Sequence, residues 1–322
     1  DEAAVVMNQT ASILNFNAGG DVIQDIIVTA TTANMGTINI FDGTDDAAAG
    51  TTTLAAASLI GVSGTGVGTL NVGKTDGTKG GNLVTVNAAA IFVNDLNVTG
   101  GNHVDEDSTI SLIENLTATG DITLSATGGA DAVLKTLTAA VVVAGDINSA
   151  SGTDGAGFTL IDADIATTLS GNVGNSVAIE KMDIAAIQVD LDGATNAIEN
   201  INFSGDGELE FGDASAQTLT GTIVTATTEE GTVENGNTAG VVTITGTLGT
   251  DALRLKEIAL LDNTDTTFQS AVVALDLDVD TAAADDVTTF TIGNIIGDKD
   301  TTAGALDVAG GTFVLDTAAV DG

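Results

Sequence analysis

The sequence predicts an all-β fold, a parallel β-helix (β-solenoid), and three observations lead there. Apolar and polar residues alternate in short runs, as in Val189-Asp190-Leu191-Asp192 and Glu208-Leu209-Glu210-Phe211, the period of a strand with one buried face. The 322 residues include 40 glycines and no proline, and a chain whose strands pair on both sides has little room for a residue without a ladder N–H. A glycine-centred turn followed by an apolar residue recurs, in places about every 25 residues, a period typical of solenoid coils. The alternative architecture is a set of tandem β-sandwich domains of a filament subunit, completed by an N-terminal strand (residues 1–17) given to a neighbour.

Taken in order, Ala3-Ala4-Val5-Val6-Met7 is helical or extended, Ile13 to Phe16 is apolar, and Ala18-Gly19-Gly20-Asp21 makes a turn before a strand from Val22 to Thr29. Strand-sized runs then follow at Gly36–Phe41, Gly68–Val72, Asn82–Val86, Ser108–Leu112, Gly157–Leu160, Gly207–Phe211, Val241–Ile244, Thr289–Ile292 and Gly311–Leu315, each bounded by Gly, Asn, Asp or Thr. The two best helix candidates, Ala47 to Leu59 and Thr267 to Leu275, lack caps and read as strand or loop. Residues 1–35 are expected to form an N-terminal cap or a donated or exchanged segment. Residues 36–322 are expected to form the solenoid with irregular insertions, with a boundary near 150–168 if there are two subdomains.

The repeat is carried by Thr119-Gly120-Asp121-Ile122, Ala144-Gly145-Asp146-Ile147, Ser170-Gly171-Asn172-Val173, Thr220-Gly221-Thr222-Ile223 and Thr245-Gly246-Thr247-Leu248. An apolar-basic element follows three of these turns: Ala132-Val133-Leu134-Lys135, Ala178-Ile179-Glu180-Lys181-Met182 and Ala252-Leu253-Arg254-Leu255-Lys256. It holds four of the 7 basic residues of the chain, too concentrated for scattered surface charge.

Composition excludes several functions. At 43% hydrophobic residues with a mean hydropathy of +0.32 the chain can bury a core. Forty-five acidic residues against 7 basic give a net charge of −38, the wrong sign for nucleic acid and for an anionic membrane surface. Such charge calls for divalent cations, and Ca²⁺ is the expected ligand. Without cysteine there are no disulfides, thiolate metal sites or thiol catalysis. No apolar run spans a bilayer as a helix, and the chain starts at Asp1-Glu2 without a signal pattern, so it reads as an exported, processed portion of something longer.

From Leu-Ser-Gly-Asn-Val-Gly at 169–174, through Ala178-Ile179-Glu180-Lys181-Met182, to Ile-Glu-Asn-Ile-Asn-Phe-Ser-Gly-Asp-Gly-Glu-Leu at 198–209, the chain resembles the passenger repeats of rickettsial-type surface autotransporters. The resemblance covers roughly residues 108–260 and extends to bacterial surface-layer proteins, which share a Cys-free composition rich in Thr, Ala, Gly and Asp. It implies a surface-layer or adhesin role, often with bound calcium, rather than an activity. Two features depart from the family: no β-barrel translocator is present, and the chain is more acidic.

The candidate metal residues are Asp276, Asp278 and Asp280, in Leu275-Asp276-Leu277-Asp278-Val279-Asp280, with Asp190 and Asp192. Alternate residues of a strand share a face about 6.5–7 Å apart, so each group offers convergent carboxylates to an oxygen-seeking Ca²⁺. Neither the helix-loop-helix calcium loop nor the glycine-rich nonapeptide repeat is present. His103, the single histidine, sits in a polar loop with Asp105, Glu106 and Asp107, a poor zinc set. Lacking Trp and Tyr to stack on sugar rings, the chain is not expected to be an enzyme on polysaccharide. Four Asn-x-Ser/Thr sequons, at Asn8, Asn97, Asn115 and Asn202, match chance in so Asn- and Thr-rich a sequence.

The expected function is that of an extracellular structural protein of the bacterial cell surface, assembling with copies of itself into a cation-stabilised surface layer or filament. A cell-surface polysaccharide or an outer-membrane anchor is a further expected partner. The alternative is an adhesin passenger that binds a host or neighbouring-cell receptor through insertions near 42–66 or 225–240, and a polysaccharide-processing β-helix enzyme ranks last.

Overall fold

The structure is a computed structural model that describes residues 3–17, 21–23, 26–41, 50–54, 58–73, 82–86, 90–101, 104, 106–126, 128–137, 140–150, 157–212, 216–238, 240–261, 264–279, 287–290, 295–296, 306–308 and 312–315. Among these residues it is all-β, and every pairing between its strands is parallel and joins one coil to the next: a β-solenoid. Parallel pairing of successive strands excludes the sandwich alternative, whose sheets are antiparallel. Two compact units divide the chain, one of residues 1–170 and 174–180 and the other of residues 171–173 and 181–322.

In the first unit each coil contributes to three ladders. One joins Ala3–Met7, Ile26–Ala30, Leu59–Ile60 and the start of Ile91–Thr99. A second joins Ile13–Asn17, Met35–Phe41, Val67–Val72 and the end of Ile91–Thr99. The third runs through Asp21–Ile23, Gly50–Leu54, Asn82–Val86, Ser108–Leu112, Ala132–Thr136 and Thr159–Ala163. Because the side-chain period is two, register turns each strand position into a column. Ile38, Leu70, Leu96, Ile122 and Ile147 stack as a core column, each at most 1% exposed. One residue along, Asn15, Asn39, Asn71 and Asn97 stack outward, and each amide Nδ2 donates to the Oδ1 of the preceding asparagine at 2.7, 2.7 and 2.8 Å.

The glycine turns of the repeat are the coil corners. Strand Leu116–Ser125 shifts register between Thr117 and Asp121, and Gln217–Thr225 bends at Gly221, so one strand serves two faces. The apolar residue after each turn, Ile122, Ile147, Val173, Ile223 and Leu248, re-enters the core at 0 or 1% exposure. At Gly246 a Cβ would come 1.5 Å from the Gly221 carbonyl oxygen, and at Gly221 (φ +144°) 1.6 Å from that of Ile198. Only glycine fits corners stacked this closely.

Several expectations need adjusting. Ala3–Met7 is a strand, and Thr267 to Leu275 divides between strands Asp265–Phe268 and Val272–Val279. The expected strand from Val22 to Thr29 is two strands, Asp21–Ile23 and Ile26–Ala30, which belong to different ladders. His103, Asp105 and Asp280 lie outside the described residues.

Candidate functional site

The second unit carries the acidic face. Strands Gln188–Leu191, Glu208–Phe211, Glu230–Asn235, Leu255–Leu260 and Val272–Val279 stack in parallel over a core column of Val189, Leu209, Val233, Ile258 and Leu277. Period two then turns the flanking residues outward. One outer column is Gln188, Glu208, Thr232, Glu257 and Asp276; the other is Asp190, Glu210, Glu234, Ala259 and Asp278. Parallel neighbours lie about 4.8 Å apart, so carboxylates that are distant in sequence are stacked without choice.

The tightest group is Glu208, Glu210 and Glu234. One carboxylate oxygen of each lies within 4.8 Å of those of the other two, and all three side chains are half-buried. Gln188 Nε2 donates to Glu210 Oε2. Burial, then the charges of Asp190 and Glu234, push the Glu210 carboxyl up to about 7; a hydrogen bond with Asp190 adds to this and the Gln188 bond opposes it. Glu234 is raised by burial and by the charges of Glu208, Glu257 and Asp190. Glu257 is raised by burial and by Asp276 and Asp278, with Lys256 partly offsetting them. All three shifts have one cause: half-buried like charges with too little solvent between them.

The described basic side chains serve other carboxylates. Lys135 bridges Asp162 and Asp164 at 2.5 and 2.6 Å, and its pKa is raised because those bonds outweigh the burial that lowers it. Lys181 pairs with Asp183 at 2.8 Å, Arg254 with Glu229 at 2.7 Å, and Lys256 with Asp206 at 2.9 Å. The recurring basic element therefore pairs with acids on strands and in turns.

Of the five candidate metal residues, Asp190 falls in the column of Glu210 and Glu234. Asp192 lies past the strand end at a corner, beside Gly212, where a Cβ would come 1.9 Å from its Oδ1. Asp276 and Asp278 share the face but join Glu257, with Ala259 standing between Asp278 and Glu234 in their column. Asp280 lies outside the described residues. None of Glu208, Glu210 and Glu234 is among the five candidates, and Glu257 was left out as well. Each sits at an outward beat of its strand, but only register reveals the column it joins.

The donor set suits a hard cation. Ca²⁺–O bonds of about 2.3–2.6 Å let two ligands of one ion lie up to ~5 Å apart, the spacing of this trio. Three carboxylates without nitrogen or sulfur favour Ca²⁺ or Mg²⁺ over zinc, with Asp190 and water left to complete the shell. No family model matches the chain, and no curated protein or solved structure compared with it does either.

Proposed function

We propose that the chain is an extracellular structural protein of a bacterial surface, which assembles with copies of itself into a surface layer or filament and takes up calcium on its acidic face. The observation that carries this reading is the pair of in-register carboxylate columns. Glu208, Glu210 and Glu234 are held at ion-binding spacing by a backbone that cannot spread them, so a divalent cation relieves repulsion that the fold itself creates. The rest of the described chain is coil upon coil of ladder pairing, an architecture suited to scaffolding.

The reading is tested by sedimentation velocity and negative-stain electron microscopy of the full chain in calcium and in excess EDTA. Ordered assemblies in calcium that disperse with EDTA, and that form at least tenfold less readily in a Glu210→Gln/Glu234→Gln variant, are the expected result. Assembly indifferent to EDTA would remove calcium from the proposal, and a chain monomeric under all conditions would remove the structural role.

A further inference from the structure

A second face of the same unit has the opposite character. Strands Thr195–Phe203, Gln217–Thr225, Val241–Ile244, Asp265–Phe268 and Val287–Phe290 stack with a threonine at one register position throughout: Thr195 on Thr218, Thr218 on Thr243, Thr243 on Thr267 and Thr267 on Thr289. The next residue of the first four strands, Asn196, Leu219, Ile244 and Phe268, is at most 2% exposed, so the threonines stand on the outer side. Thr195 is exposed and Thr218, Thr243 and Thr267 are half-exposed. Ala197 and Thr220 extend the face, as does Val241, whose side chain is 40% exposed. Asp265, in register with Val241, and Glu199, exposed beyond Ala197 in the first strand, are the two carboxylates among the described outward residues of these strands.

We propose that this threonine ladder is the face through which two copies of the chain meet, about a two-fold axis at Thr243. The inference rests on the self-assembly reading above and names the contact. Charge selects the occupant: in a chain of net charge −38, copies meeting through the acidic face would bring together two sets of carboxylates already crowded within one copy. The ladder brings together hydroxyl and methyl groups instead. Its repetition selects the symmetry. A two-fold axis at the central rung sets Thr243 on Thr243 of the second copy and Thr218 on Thr267 of the second copy, so the surface complements itself. Small β-branched side chains let two such faces approach to about 10 Å, the separation of packed sheets, and that contact covers Val241.

The absence of cysteine gives a clean test. Full-length Thr243→Cys and Glu257→Cys variants, each carrying a single thiol, are oxidised under assembly conditions and run on non-reducing gels, with circular dichroism verifying the β fold. The ladder contact predicts at least fivefold more disulfide dimer from Thr243→Cys. An equimolar mixture of Thr218→Cys and Thr267→Cys repeats the measurement if Thr243→Cys does not fold, and heterodimer is then the expected product. Equal or greater trapping through Cys at position 257, with the wild-type chain still assembling, overturns the ladder and leaves self-assembly standing. A wild-type chain that stays monomeric overturns both.

Discussion

At the residue scale the informative group is Glu210. Its folded-state pKa of about 7 lies above the roughly 4.3 of an unfolded chain, so between those values the folded state binds more protons. The destabilisation is absent below the unfolded value, grows as pH rises, and is complete above the folded one. In EDTA, thermal unfolding followed by circular dichroism should therefore show stability falling from pH 5 to pH 8. Glu210→Gln should flatten part of that fall and stabilise the protein at pH 8 by about 0.5–1 kcal/mol, the range for a stacked like-charge pair. Parallel pH curves for variant and wild type would sink the assignment. Acid thus stabilises the coil while protonating the carboxylates that hold a cation, so fold and calcium-dependent assembly should respond to pH in opposite directions. The beat Glu208-Leu209-Glu210-Phe211 was legible in the sequence as a strand with two outward acids. What was hidden is that Glu234 joins them. Gln188, Glu208, Thr232, Glu257 and Asp276 occupy successive coils of unequal length, so no fixed period leads from one to the next.

At the scale of the element, the corners carry most of what could be read beforehand. Thr220-Gly221-Thr222-Ile223 and Thr245-Gly246-Thr247-Leu248 stood out because each coil corner needs a glycine that can stack against the next and an apolar residue that re-enters the core. Glycines with different surroundings should respond differently to the same change. Gly246→Ala and Gly221→Ala drive a methyl into a neighbouring backbone carbonyl and should cost at least about 3 kcal/mol, or prevent folding. Gly64 also has a positive φ of 83°, but a Cβ there meets nothing within 4 Å, so Gly64→Ala should cost only about 1 kcal/mol. Urea unfolding of the three variants separates the cases, and similar losses at Gly64 and Gly246 would contradict corner stacking as the reason for the repeat. The division between Asp21–Ile23 and Ile26–Ala30 was not legible, because only Gln24-Asp25 interrupts the apolar residues from Val22 to Val28, with no glycine or proline to mark a turn.

For the molecule as a whole, the fold class was legible because a parallel coil imposes the same demands again and again: alternating apolar residues inside, glycine at corners, no proline in the ladder. Charge was legible in amount but not in placement. The −38 is not spread evenly, since one face of the second unit stacks carboxylates while another stacks threonines, and which strand lies over which is a property of register. This placement separates two ways in which calcium can act. General screening of a highly charged chain is reproduced by sodium chloride at equal ionic strength, because it depends on the Debye length alone. Binding at Glu208, Glu210 and Glu234 is not. At about a hundred times its dissociation constant, calcium bound there should stabilise the folded chain by about 2.7 kcal/mol over matched sodium chloride. Magnesium should do less, because it gives up its water shell reluctantly and demands tighter geometry than a flat strand face offers. The Glu210→Gln/Glu234→Gln variant should lose the calcium increment and keep the sodium response. Calorimetry in the three salts decides the matter: equal stabilisation by sodium and calcium, or a variant that keeps the full calcium increment, would mean that the acidic columns contribute charge without forming a site.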